Sequence, residues 1–195
     1  MPRSSPNSPN ERIRRCTAAD APGVAAIYDP IVANTAISFE ESPPGPSEMA
    51  RRIVAAGERY PWLAFEQDGS LAGYAYASAH RSRAAYRWSV DVSVYVDATV
   101  RRSGIGSRLY AKLFEILAAQ GFHSAFAGVT LPNDASLALH LRAGFSLVGT
   151  YHAAGFKFGA WRDTRWFERR LVASDAEPAE PRTLDDIEID WRERR

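Results

Sequence analysis

Arg101-Arg102-Ser103-Gly104-Ile105-Gly106 is a basic turn punctuated by two glycines, a combination suited to holding a pyrophosphate. Gly104 and Gly106 carry no side chain that would keep the backbone away from an anion, and Arg101 and Arg102 add positive charge. Three phosphate-binding patterns can be tested against it. A Walker loop requires Gly, four residues, Gly, then Lys and Ser or Thr, and no such Lys is present. A dinucleotide fingerprint wants a third glycine where this chain has Leu109, and its acidic residue on a second strand is missing. The third pattern, Arg or Gln, two residues, Gly, one residue, then Gly or Ala, is filled by Arg101, Gly104 and Gly106. Upstream, Arg81-Ser82-Arg83-Ala84-Ala85-Tyr86 supplies two guanidiniums able to grip a planar anion in bidentate fashion.

These groups need elements to hold them. Ile13 to Cys16 reads as a strand, and Thr17-Ala18-Ala19-Asp20 as a capping box opening a helix to about Ala33, which Pro30 should end or kink. After a loop rich in proline, Ser47 can cap a helix to Ala56. Trp62–Glu66 and Leu71–Ala79 flank Asp68-Gly69, a strong hairpin signal. Trp88 to Val96 alternates, with Val90, Val92 and Val94 on one face and Asp91, Ser93 and Tyr95 on the other. Beyond the glycine turn, Leu109, Leu113, Ile116 and Leu117 recur at helical spacing up to Gly121. A strand from Ser124 to Leu131, a helix from Asn133 stopped by Gly144, and strands at Phe145–Tyr151 and Thr164–Leu171 complete the pattern. The string predicts an α+β fold with a mixed, mainly antiparallel sheet.

Composition narrows the class. The chain has 195 residues with 46% apolar content, enough for one globular domain with a sizeable core. Its 24 basic residues against 23 acids give no whole-chain argument for nucleic acid or an anionic membrane, so any anion site must be local. Cys16 is the only cysteine, which excludes an intrachain disulfide and fits a reducing cytoplasm. The chain shows neither a bilayer-length apolar run nor a secretory signal, so a cytoplasmic location is expected. Residues 1–10 are expected to be a disordered tail and 173–195 a flexible one, with the domain at 11–172. The C-terminal tail contains Leu184, Ile187, Ile189 and Trp191, which could dock on a neighbour, but a solvated extension is the expected reading.

The turn, placed after Val94-Tyr95-Val96 and leading into a helix, resembles the acyl-CoA-binding core of the GNAT N-acetyltransferases. The Asn133 helix ending Leu141-Arg142-Ala143-Gly144-Phe145 is similar to the family's later motif. Within the family, Tyr60-Pro61-Trp62-Leu63, Ala119-Gln120-Gly121-Phe122, Leu131-Pro132-Asn133-Asp134 and Ala154-Gly155-Phe156-Lys157 resemble the phosphinothricin and methionine sulfoximine N-acetyltransferases. The resemblance implies acetyl transfer from acetyl-CoA to the α-amino group of an amino acid or its analogue. A polyamine or protein N-terminal acetyltransferase, or a non-catalytic CoA-binding module, are the alternatives.

The same resemblance assigns roles. Amides from Arg102 to Ser107, through Ser103, Gly104, Ile105 and Gly106, would face the pyrophosphate at a helix N-terminus, where the helix dipole favours negative charge. The backbone of Val94, Tyr95 and Val96 would pair with the pantetheine arm, and Asn133 would join the cofactor site. Asp91 stands where the family places its base, directly or through water, but the phosphinothricin-type members that this chain resembles carry the longer Glu there. His140 fills the slot of the general acid, with Tyr110 as a weaker candidate. Arg81, Arg83 and Tyr86 would contact the acceptor, and Tyr28 to Phe39 would line its pocket. No metal, nucleic acid or membrane is implied. A homodimer is, with Trp161 and Trp166 as contributing aromatics.

Overall fold

The computed structural model describes residues 10–101, 103–173 and 176–191. Strand β1 (Glu11–Arg15) leads to helices α1 (Ala21–Asn34) and α2 (Gly45–Ala56), then to β2 (Trp62–Gln67), β3 (Ser70–Ala79) and β4 (Ser89–Val96). Helix α3 (Ile105–Gln120), β5 (Ser124–Thr130), α4 (Asp134–Arg142), β6 (Ser146–Lys157) and β7 (Ala160–Arg170) follow. The strands form one sheet in the order β1-β2-β3-β4-β5-β7-β6. Every neighbouring pair is antiparallel except β4 and β5, whose parallel register spans only Ser89↔Ser124 to Asp91↔Phe126.

Strand alternation sends the two faces to different helices. Leu63, Phe65, Ala75, Ala77, Val90 and Val92 pack with Ile105, Leu109, Leu113 and Leu117 of α3. On the opposite face, Trp62, Ala64 and Tyr74 pack with Val24, Tyr28 and Val32 of α1 and Met49 and Ile53 of α2. Leu109, Leu113 and Leu117 are fully buried, so each contributes about 1.5–3 kcal/mol of transfer free energy. The apolar stripe read from the sequence is thus the α3 face that pins the glycine turn to the sheet.

Several boundaries differ from expectation, each for a local reason. The Thr17–Asp20 capping box is present, but it closes a 3-10 turn at Ala18–Asp20 that precedes α1. Pro30 lies inside α1 rather than ending it. The carbonyl it leaves unpaired belongs to Ala26, and both residues lie on the solvent face. Helix α2 begins at Gly45, before Ser47. Strands β6 and β7 run past Tyr151 and start before Thr164, closing a long hairpin at Phe158-Gly159, where both residues have positive φ.

The largest difference is at the C-terminus. Residues 173–195 were expected to be flexible, yet Leu184 is buried in the main core, with Ile187, Ile189 and Trp191 packed against it. The amide of Arg182 donates to Gln120 O (2.7 Å) and that of Leu184 to Glu58 O (2.7 Å). Gln120 donates back to the carbonyls of Arg59 and Arg182, both at 3.0 Å. A second capping box, Thr183–Asp186, marks this turn and was the overlooked signal. Of the expected N-terminal tail, only Asn10 falls within the described residues.

Candidate active site

Past Asp91, β4 keeps its pairing with β3 as far as Val96 but has no register with β5. The two strands diverge there, and the β5-facing edge of Val92–Val96 is left without a strand partner. A buried backbone edge demands hydrogen bonds, so this one suits an extended, amide-bearing molecule inserted as an additional strand. Val94 and Val96 meanwhile pack against the main core. Tyr95 faces the other way, against Tyr28 and Tyr74.

The glycine turn follows directly. Gly104 caps α3 with φ 84°, a left-handed conformation that favours glycine, and a side chain there would project into open space. The amides of Ile105, Gly106 and Ser107 form the first turn of α3 and have no intrahelical acceptor. Ile105 is buried, whereas Arg101, Ser103 and Ser107 are exposed. Arg102 lies outside the described residues. Gly106 has a further reason to be glycine: a Cβ would stand 3.3 Å from Leu139 Cδ2, so its absence lets α3 approach α4. Asn133 caps α4, its side chain accepting from the amide of Ser136 at 3.2 Å. The exposed arginine, the open amides and the unpaired β4 edge fit a diphosphate carried on an amide-containing arm.

Asp91 sits where the strands part. Its Oδ1 is 2.7 Å from Nδ1 of His80, at the end of β3, a residue the sequence reading did not single out. Burial pushes the Asp91 carboxyl up, while the His80 hydrogen bond and the charge of Arg81 pull it down. Arg81 donates to the carbonyl of His80 (2.8 Å) and its guanidinium stands 5.7 Å from the Trp166 ring. Tyr86 meets His80 edge to face at 5.8 Å between centroids. The structure thus brings Arg81 and Tyr86 to Asp91. Arg83 is exposed at the start of the Ala84–Tyr86 turn, and its carbonyl accepts from the Tyr86 amide at 3.0 Å.

On the same face, a cavity of about 310 Å³ opens between α2 and the sheet, lined by Tyr28, Met49, Arg52, Trp62, Tyr76 and Ser78 among others. Ser78 is the register partner of Asp91, which puts the carboxylate beside this cavity. Trp62 stacks on Tyr76 at 4.2 Å, forming a flat aromatic wall. Tyr74 also lines it, and its buried hydroxyl has no hydrogen-bond partner among the described residues. Arg52 is held in bidentate fashion by Glu40 (2.7 and 2.9 Å), whose Oε1 also accepts from Tyr28 (2.9 Å). Lys157, absent from the expected site, anchors this loop from β6: its ammonium donates to the carbonyls of Val32, Ser38 and Glu40 at 2.7–2.8 Å. Two residues earlier, Gly155 lies flush on the Phe39 ring, where a Cβ would stand 2.5 Å away.

His140 differs most from its expected part. It is 4% exposed, with its ring stacked on Phe167 and set edge to face against Phe145. Its Nδ1 donates to the carbonyl of Ser136 (2.8 Å), leaving Nε2 to accept from the Tyr110 hydroxyl (3.0 Å). Burial pushes the imidazole pKa down and that of Tyr110 up. A neutral ring bonded this way accepts at Nε2 and has no proton there to donate.

Residues 13–166 match the family model for the acetyltransferase (GNAT) domain. The chain is 40% identical over 180 residues to a phosphinothricin N-acetyltransferase of Streptomyces viridochromogenes, covering 92% of this chain and 96% of that one. It is 35% identical over 171 residues to an L-methionine sulfoximine/L-methionine sulfone acetyltransferase of Pseudomonas paraeruginosa, covering 85% and 98%. The solved structure of a phosphinothricin acetyltransferase from Sinorhizobium meliloti in complex with AcCoA superposes with a TM-score of 0.82 at 38% identity, over 87% of this chain and 94% of that one. With the parted strands, the glycine turn and the matching domain in one place, the chain belongs to the GNAT acetyltransferase family.

Proposed function

We propose that this chain transfers the acetyl group of acetyl-CoA to the α-amino group of an amino acid analogue of the phosphinothricin or methionine sulfoximine type. The observation that carries the reading is the parting of β4 from β5 immediately after Asp91, beside a cavity that reaches Ser78. In this reading the turn Arg101–Ser107 and Asn133 hold the CoA end, and the free edge of Val94–Val96 holds its amide arm. Acetyl-CoA supplies an activated acyl group. The residues on the cavity face supply orientation and a proton acceptor.

Arg81 is assigned to the acceptor's carboxylate or phosphinate, because its guanidinium is exposed beside Asp91 and planar anions suit it. Tyr86 borders the same corner. Arg83 is a secondary contact, since nothing directs its side chain inward. His140 is kept in the site as an uncharged ring holding Tyr110 rather than as the proton donor. A thiol of pKa about 8.5 leaves readily as thiolate near neutral pH, so a dedicated acid is not demanded.

We further read the protein as a cytoplasmic homodimer. Leu147, Val148, Tyr151, Phe156, Phe158 and Trp161 are large, apolar and more than half exposed along the β6–β7 hairpin, an uncovered band of the kind that marks an interface. The test of the catalytic reading is release of CoA thiol from acetyl-CoA across a panel of amino acids, amino acid analogues, polyamines and peptides. Turnover confined to the amino acid group supports it; turnover confined to polyamines or peptides, or none at all, overturns it.

A further inference from the structure

The strand-end histidine and the candidate base form one unit. His80 Nδ1 and Asp91 Oδ1 are 2.7 Å apart, and the ring of His80 stacks on Phe126 at 4.2 Å with an interplanar angle of 18°. Asp91 and Phe126 are the last register partners before β4 and β5 part. His80 therefore bridges the two strands at the apex of the opening, bonded to one residue of that pair and stacked on the other. Trp166 and Tyr86 close around it edge to face, and its side chain is 10% exposed.

We propose that His80, oriented by Asp91, is the group that accepts the proton from the substrate amine. This rests on the acetyl-transfer reading and changes who performs its first step. A carboxylate whose oxygen is occupied by an imidazole is better placed to hold that ring than to reach the amine itself. With the Nδ1 proton donated to Asp91, Nε2 carries the ring's free lone pair. The short Asp at position 91 then has a physical use: imidazole supplies the reach that the carboxylate lacks.

The step balances. The ammonium proton passes to Nε2, and the freed nitrogen pair forms the N–C bond to the acetyl carbonyl. The C–S bond breaks with its electron pair leaving on sulfur. The second proton, shed by the nitrogen once it is bonded to the acetyl carbon, goes to the departing thiolate, and the imidazolium, stabilised by Asp91, later returns its proton to solvent. The charged and titratable groups around His80 are Asp91 from β4, Arg81 and Tyr86 from the β3–β4 connection, and Glu168 of β7, the register partner of Phe126. Phe126 and Trp166 contribute none.

The test compares wild type with His80→Gln and Asp91→Asn, using acetyl-CoA and the best amine acceptor found. For His80→Gln, kcat/KM should fall by about 10²–10⁴-fold, the size of general-base catalysis, with acetyl-CoA binding by calorimetry unchanged. The rise of kcat/KM with pH should also move to the alkaline side, where the free amine ionises without help. Asp91→Asn should lower the rate while leaving some of the histidine-dependent rise. A His80→Gln rate within about threefold of wild type, with an unmoved pH profile, overturns the proposal. ¹⁵N NMR of the His80 ring needs no acceptor, so it separates this inference from the acetyl-transfer reading. A proton on Nδ1 and a bare Nε2 support the inference, and the opposite tautomer overturns it.

Discussion

Lys157 Nζ lies 2.8 Å from the carbonyl oxygen of Ser38, joining segments 119 residues apart in the chain. Two further carbonyls, from Val32 and Glu40, complete its shell. The ammonium is thus buried without a carboxylate partner in that shell, and desolvation pushes its pKa down. What it holds is the α1–α2 loop that carries Glu40, the anchor of Arg52 at the cavity. Lys157→Met should destabilise the protein by about 2 kcal/mol, the scale of charged hydrogen bonds, as read by urea unfolding. It should raise KM for the acceptor about tenfold, equivalent to ~1.4 kcal/mol, without altering acetyl-CoA affinity.

The buried His140 gives stability a pH dependence. Its folded pKa lies below the ordinary value of about 6.5, because burial opposes the charged ring. Between the two values the unfolded chain binds more protons, so stability is full above about pH 6.5 and declines as pH falls toward the folded value. The melting temperature should drop between about pH 7.5 and pH 5.5, and His140→Gln should flatten that slope while retaining an acceptor for Tyr110. An unchanged slope in the variant contradicts the assignment.

Gly104 tests the CoA end. Its φ of 84° places it in the left-handed region, where an L side chain costs roughly 1–2 kcal/mol. Gly104→Ala should therefore reshape the start of α3 and weaken acetyl-CoA binding about five- to twenty-fold. Isothermal calorimetry reads this directly, and acceptor KM at saturating acetyl-CoA should change little.

The dimer is tested on the apolar band. Val148 is 57% and Trp161 66% exposed. Val148→Glu and Trp161→Glu should shift light scattering from dimer to monomer by burying an unpaired charge at the interface. A monomeric wild type, or variants that remain dimeric, would remove the hairpin from the assembly.

Legibility varied with how local each signal was. Among the described residues, periodicity and turn chemistry marked all eleven α-helices and strands, because Asp68-Gly69, Gly121 and Gly144 each punctuate a short-range pattern. The glycine turn was readable for the same reason. His80 was not, since its partner Asp91 is reached only by folding a hairpin, and Arg81 and Arg83 beside it drew the chemistry toward charge. Lys157 was quoted in a motif but had no visible task, as its three acceptors are backbone carbonyls that leave no trace in side-chain pattern. His140 was legible in position but not in state, because burial and the Tyr110 bond set its protonation. The C-terminal segment was misjudged because its apolar residues are spread among acids, and the bonds that seat it run largely to distant backbone, among them the amide bonds to Gln120 and Glu58 and the Lys112 bond to the Asp190 carbonyl.

The most direct measurement of the central claim is the specificity constant for L-phosphinothricin and L-methionine sulfoximine, with the product examined by NMR. The account predicts kcat/KM of at least about 10⁴ M⁻¹s⁻¹, the lower end of ordinary enzymes, for one of the two, with the acetyl group on the α-nitrogen. A value below about 10² M⁻¹s⁻¹ for both, alongside faster acetylation of a polyamine or peptide amine, would contradict it.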